Sequence, residues 1–187
     1  MRVISGFFKG KKIFEPKDNM TRPLKDMVKE SIFNIINHSK KLNIDITESN
    51  ILDLFSGVGS FGIECLSRGA KKVIFVENYS KVLPILKKNL NDLKKINNFK
   101  VLEFDINKDL KSKTILEKFD IIFLDPPFKD KNLKELLNNI YEKKILKKFG
   151  IIIIHRHKKV KESLPNSLKI IDEKTYGLSK ITFSSFF

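Results

Sequence analysis

A single cysteine, Cys65, stands among the 187 residues of this chain, so no intrachain disulfide can form. With only three histidines, His38, His155 and His157, a Cys-rich zinc site cannot be assembled either, and no metal is expected. That cysteine usage suits a reducing cytosol. Long apolar runs are also missing. The longest hold four or five residues, as in Ile121 to Leu124 and Ile151 to Ile154, against the roughly 20 that span a bilayer. Met1 to Lys12 has no apolar stretch adequate for a signal peptide, because Ser5, Gly6 and Lys9 interrupt it. The expectation is a cytoplasmic protein with no membrane partner. Arginine is scarce as well: only Arg2, Arg22, Arg68 and Arg156 are Arg among 37 basic residues, which leaves 33 Lys.

What the chain has in excess is positive charge. Its 37 basic and 22 acidic residues leave +15, and 41% of residues are hydrophobic. That suits one domain, or one domain with a small appendage. The charge favours a polyanionic partner. A Lys-rich profile also follows from an AT-rich genome, so composition alone leaves a nucleic-acid interface and a merely solvated surface both open.

Apolar β-type runs recur at Ile51 to Phe55, Val73 to Val76, Phe99 to Phe104, Ile121 to Leu124 and Gly150 to Ile154, with room for one crossover helix in each gap. Val82, Leu86, Leu90 and Leu93 share one helical face, and so do Leu133, Leu136, Leu137 and Ile140. Unbroken Ile, Leu and Phe runs indicate strands covered on both faces, as in a parallel sheet. Leu168 to Ile171 and Ile181 to Phe187, separated by a turn at Tyr176-Gly177, predict an antiparallel hairpin on the sheet edge. At the other end, Arg2 to Ser5 and Lys11 to Phe14 predict a short hairpin turned through Gly6 and Gly10, before a helix from about Pro23 to Asn37. The predicted class is α/β, a Rossmann-like and mostly parallel sheet with a C-terminal antiparallel hairpin. Residues 1–40 form a basic N-terminal appendage and residues 41–187 the main domain.

The first strand runs into Asp53-Leu54-Phe55-Ser56-Gly57-Val58-Gly59-Ser60-Phe61-Gly62, a strand, a turn and a helix start. Gly57, Gly59 and Gly62 match the three-glycine pattern in which backbone approaches a ligand at a helix N-terminus. Glu77, at the end of the second strand, is placed to bind ribose hydroxyls. The loop alone fits NAD or another adenosine cofactor. Asp53 shifts the balance, because a carboxylate at this strand tip repels a pyrophosphate and suits the ammonium and sulfonium of S-adenosylmethionine. Asp105, after the third strand, can accept from an adenine amine, with Ile106 packed on the ring.

The fourth strand ends in Asp125-Pro126-Pro127-Phe128, the most specific signal in the chain. An exocyclic amine on a nucleobase is a poor nucleophile, because its lone pair is delocalised into the ring. Two acceptors that take one N–H each draw the nitrogen towards tetrahedral geometry, and the Asp125 carboxylate with the Pro126 carbonyl can do this. Consecutive prolines stiffen the turn, and Phe128 offers a face on which an extruded base can stack. The candidate catalytic residues are therefore Asp125, Pro126, Pro127 and Phe128.

Asp53 to Gly62 together with Asp125 to Phe128 resembles the amino-methyltransferase branch of the class I S-adenosylmethionine-dependent methyltransferases. More narrowly, the chain resembles the RsmD family of 16S ribosomal RNA guanine-N2 methyltransferases. Arg2-Val3-Ile4-Ser5-Gly6, Lys9-Gly10-Lys11-Lys12-Ile13, Thr21-Arg22-Pro23, Glu30-Ser31-Ile32-Phe33-Asn34, Leu66-Ser67-Arg68-Gly69-Ala70, Tyr176-Gly177 and Ile181-Thr182-Phe183 fit the same pattern in order. The family often has Gly-Gly at Ser5-Gly6 and an Arg-rich helix at Lys25 to Lys29. It commonly has acidic residues where Tyr79 and His155 stand. The resemblance implies an S-adenosylmethionine cofactor held by Asp53, Ser56, Gly57, Gly59, Glu77, Asp105 and Ile106. It also implies methyl transfer to a guanine N2, with 16S rRNA, the small subunit or an assembly intermediate as partner.

The acid-free arm, with Arg2, Lys9, Lys11 and Lys12, is the predicted RNA contact next to that site, joined by Arg22. His155, Arg156 and His157 are expected on the surface after the fifth strand, and Cys65 as a packed thiol. No feature sets an oligomeric state, and a monomer is compatible. Three rival readings stand: a DNA adenine-N6 or cytosine-N4 methyltransferase, which usually needs an added target-recognition domain; an NAD-dependent oxidoreductase, which leaves Asp125 to Phe128 unexplained; and a non-enzymatic RNA-binding protein, although both strand tips look intact.

Overall fold

The computed structural model of the chain describes residues 1–16, 24–94, 96–109 and 115–187. Seven strands form one sheet: β1 (Asn50–Leu54), β2 (Lys72–Val76), β3 (Phe99–Leu102), β4 (Phe119–Leu124), β5 (Leu146–His157), β6 (Leu168–Tyr176) and β7 (Ser179–Phe186). Their order is β3-β2-β1-β4-β5-β7-β6. The first five run parallel, while β7 pairs antiparallel with β5 and with β6. The helices are α1 (Asp26–His38), α2 (Ser60–Ser67), α3 (Leu83–Asn91), α4 (Ile106–Asp109) and α5 (Leu133–Glu142). Among the described residues no helix is long and apolar enough to cross a membrane.

The unbroken apolar runs have a simple cause: successive side chains in a strand point to opposite faces, and here both faces are covered. Ile51, Val73, Phe75, Ile121, Phe123, Ile151 and Ile153 enter one core with Val28, Ile32, Phe33 and Ile36 of α1, Phe61 of α2 and Leu86 and Leu90 of α3. Leu52, Leu54, Ile74, Val76, Ile122, Leu124, Ile152 and Ile154 enter the other, against Leu133, Leu136, Leu137 and Ile140 of α5. On the first face the rings of Phe33, Phe61 and Phe123 stack in series, with centroids 5.3 Å and then 4.1 Å apart. This stack ties α1 and α2 to the C-terminal end of β4. Each such side chain withdrawn from water contributes about 1.5–3 kcal/mol.

The N-terminal arm is a hairpin reduced to one antiparallel bridge, Arg2 with Lys12. Val3 and Ile13 belong to the same core as α1 and α2. The arm is held by Glu64 of α2, a carboxylate with no exposed side-chain surface. Glu64 accepts from the Ile4 and Ser5 amides at 2.8 and 2.9 Å and from Arg68 Nε at 2.9 Å. The ammonium of Lys29, equally buried, lies 3.5 Å from Glu64 and donates to the Arg2 carbonyl at 2.8 Å. Burial holds the Lys29 ammonium below its ordinary pKa, against the opposing pull of Glu64.

One expectation fails. His155, Arg156 and His157 lie within β5, which runs three residues past its apolar run because β7 pairs with it out to Ser179. His155 and Arg156 are only 6% and 4% exposed.

Candidate active site

The candidate residues gather at the C-terminal edge of the parallel strands, where β1 and β4 sit side by side and the crossover connections diverge. In an open α/β sheet this crevice is where ligands bind. Leu54 pairs with both Val76 and Leu124, and Leu124 with Ile154. The residues just beyond, Glu77, Asp125 and His155, are therefore set along one rim.

The glycine loop is built largely by packing. Gly59, at φ +84°, precedes α2 in a left-handed conformation, and a Cβ there would lie 2.6 Å from Leu86 Cδ1. A Cβ on Gly62 would lie 2.3 Å from Phe75 Cε1 and 2.9 Å from Asp53 Oδ2. These two glycines let α2 sit directly on β2 and β1. The Gly57 N–H donates to Glu77 Oε2 at 2.7 Å. The other oxygen of Glu77 accepts from the Asn78 and Tyr79 amides at 2.9 and 2.8 Å. Ser56 is buried, and its N–H donates to the Val76 carbonyl at 3.1 Å.

Asp53 is 1% exposed. Its Oδ2 accepts from the Gly62 N–H at 3.0 Å, while its Oδ1 has no hydrogen-bond partner among the described residues. Burial pushes this carboxyl well above its ordinary pKa, the Gly62 N–H opposes the rise, and Asp125 and Glu77 add to it by repulsion. A buried carboxylate with an orphan oxygen is a site for a cation that also donates hydrogen bonds. The ammonium of a methionine moiety has that character, so this residue fits S-adenosylmethionine. Asp105 Oδ1 accepts from the Asn107 N–H at 3.1 Å, and Ile106 is buried in the core that contains Leu54 and Val76.

At the tip of β4 the turn is braced from β5. Arg156 Nη1 donates to the Pro126 carbonyl at 3.0 Å and the Pro127 carbonyl at 2.7 Å, and Nη2 donates to the Asp130 carbonyl at 2.9 Å. Nη2 also pairs with Glu162. The Pro126 carbonyl, one of the two predicted amine acceptors, thus has one lone pair taken by Arg156 and one remaining. Asp125 Oδ1 lies 2.8 Å from His155 Nδ1, and His155 Nε2 lies 2.9 Å from Ser179 Oγ. The Phe128 ring stands edge-on to His157 at 5.3 Å and to His155 at 6.4 Å. Sequence reasoning missed the parts played by His155 and Arg156. Polar residues directly after Ile151 to Ile154 could equally have continued the strand, and that was the available signal.

Of the predicted RNA contacts, Arg2, Lys9 and Lys12 are exposed, and Lys11 is half-buried with its ammonium on the Asp92 carbonyl after α3. Arg22, with Thr21 and Pro23, lies outside the described residues. The arm runs the length of α2. Met1 Sδ meets Ser60 Oγ at 2.8 Å at the site end, whereas the Phe7 N–H donates to the Ser67 carbonyl at 2.8 Å at the far end. The rise from Ser60 to Ser67 puts these ends about 10 Å apart. Asn89 joins arm and loop, donating to the Phe14 and Val58 carbonyls, each at 3.0 Å.

The strand order and antiparallel closing pair are those of a class I methyltransferase. The solved structure of the Escherichia coli protein yhhF superposes with a TM-score of 0.83 at 28% identity, covering 100% of this chain and 97% of that one. The Bacillus subtilis protein YlbH is 38% identical over 185 residues, 97% of this chain and 96% of its own. Ribosomal RNA small subunit methyltransferase D of Haemophilus influenzae is 35% identical over 184 residues, 95% of this chain and 90% of its own. The family described as conserved hypothetical protein 95 matches residues 1–185. From the glycine loop to the braced Asp125-Pro126-Pro127-Phe128 tip, and along nearly its whole length, the chain belongs to that family, the RsmD family of class I methyltransferases.

Proposed function

We propose that the protein transfers a methyl group from S-adenosylmethionine to the exocyclic N2 of a guanine in 16S ribosomal RNA, presented free, in an assembly intermediate or in the small subunit. The observation that carries this reading is the pairing of two acids on neighbouring strands. Asp53 on β1 is buried with an unsatisfied oxygen, and Asp125 beyond β4 heads a rigid turn. One suits a cationic cofactor and the other an amine substrate. The name of the H. influenzae relative supports ribosomal RNA as the substrate class.

Bound S-adenosylmethionine supplies an electrophilic methyl carbon on sulfonium. Asp53 would hold the amino group of that cofactor, and Glu77 and Asp105 would serve the ribose and the adenine amine. Asp125 accepts one N–H of the guanine amine through Oδ2, and the remaining lone pair of the Pro126 carbonyl accepts the other. The nitrogen is thereby held towards tetrahedral geometry, with its lone pair freed from the ring. Asp125 is the residue placed to take the surplus proton that methylation of the amine would release. Phe128 supports the base, and Arg2, Lys9 and Lys12 contact phosphate.

The test is transfer of tritiated methyl to small ribosomal subunits, to 16S rRNA and to duplex DNA, with the methylated nucleotide mapped. Label at N2 of a single guanine is the expected result, and preferential labelling of duplex DNA overturns the substrate. Asp125→Ala lowers turnover by about 10²-fold or more while cofactor affinity, read by calorimetry, stays within about threefold. A parental rate from this variant removes Asp125 from the chemistry.

A further inference from the structure

We propose that His155 is a positioning residue that fixes which oxygen of Asp125 meets the substrate amine. The inference rests on the methyl-transfer reading above. His155 sits on β5, where Ile154 is in register with Leu124 of β4 and His155 itself pairs with Ile181 of β7. It thus stands between the two strands that carry its partners. Its ring bridges Asp125 Oδ1 at 2.8 Å and Ser179 Oγ at 2.9 Å, and its side chain is 8% exposed against 20% for Asp125.

The chemistry of the partners sets the protons. An ionised carboxylate only accepts, so His155 Nδ1 carries the hydrogen and donates to Oδ1. In the neutral ring Nε2 then has a lone pair, which accepts from the Ser179 hydroxyl. The connectivity is that of a Ser-His-Asp triad, but its working end is reversed. Here the serine anchors the far side of the ring, and the carboxylate faces the reaction. With Oδ1 occupied and the torsion of Asp125 held, Oδ2 is the oxygen presented to the amine. Arg156, the next residue, fixes the Pro126 carbonyl from the same strand. One dipeptide of β5 therefore braces both amine acceptors, the His155 ring holding the Asp125 side chain and the Arg156 guanidinium holding the Pro126 backbone carbonyl.

Two measurements test this. The first is the tautomer of His155 in the ¹⁵N-labelled wild-type protein, resolved by comparison with a His155→Asn sample. The Nδ1–H form is expected, and an Nε2–H form overturns the proposal. The second is a set of steady-state constants. His155→Ala lowers kcat by about 10- to 100-fold, the scale of a misplaced catalytic group, with the cofactor KM and the thermal midpoint near parental values. His155→Asn, whose amide N–H reaches the place of Nδ1, recovers most of that loss. His155→Gln, whose amide extends towards Ser179 instead, does not. Parental kcat in His155→Ala, or equal damage from Asn and Ala, overturns the role. If the wild-type protein transfers no methyl group to RNA, the functional reading falls, and the tautomer alone decides whether His155 orients Asp125.

Discussion

A carboxyl buried as deeply as Asp53 is most stable with its proton on. Its folded pKa lies above the unfolded value, chiefly through burial. The folded state therefore binds more protons between those two values, and stability falls as pH rises through that window. Above it the ligand-free protein carries the full penalty. Asp53→Asn removes the charge while keeping the shape, so the ligand-free variant is expected to gain about 1–3 kcal/mol at neutral pH, the cost of an unsatisfied buried polar group. The same change weakens S-adenosylmethionine binding. Thermal scans without cofactor and calorimetry with it check the two halves, and a variant that is both less stable and equally tight in binding contradicts the assignment. The position of Asp53 before the glycines was legible in the sequence. Its orphan oxygen was not, because it depends on Gly62 of α2 occupying the other one.

At the scale of elements, β1, β2, β4 and the Ile151 to Ile154 part of β5 could be read from apolar runs, because burial on both faces leaves no polar alternation to blur them. Two things escaped. The extension of β5 through His155 to His157 escaped because pairing with β7 supplies hydrogen bonds that hydropathy does not record. The burial of Lys29 escaped because the arm that covers it is distant in sequence. That arm docks on α2 through Glu64, which takes two backbone amides and one buried ammonium. Removing one member of such a pair costs about 3–5 kcal/mol. Glu64→Ala is therefore expected to lower stability by that order and to speed hydrogen exchange at the Ile4 and Ser5 amides. Unchanged exchange at those amides, alongside a lowered midpoint, would mean that the carboxylate supports Lys29 and Arg68 but not the arm.

For the whole molecule, the net charge is +15, and among the described residues the lysines are mostly in water. The arm's exposed cations are Arg2, Lys9 and Lys12, with Arg2 and Lys9 lining one cleft beside Asp26 and Glu30 of α1, and they are the proposed phosphate contacts. Binding measured against salt checks this. Replacing those three residues with Ala is expected to reduce the slope of log K against log salt by about 2–3, and an unchanged slope places the RNA elsewhere. The folded molecule also gives its lone cysteine a use. Cys65 has no exposed surface, and burial pushes its thiol pKa well up, so it is closed to reagents and poor in thiolate. Because it lies in the core that α2 shares with β1 and β2, a thiol reagent can reach it only when that core opens. The rate of its modification is therefore a built-in clock for the opening of the core under the helix that carries the glycine loop.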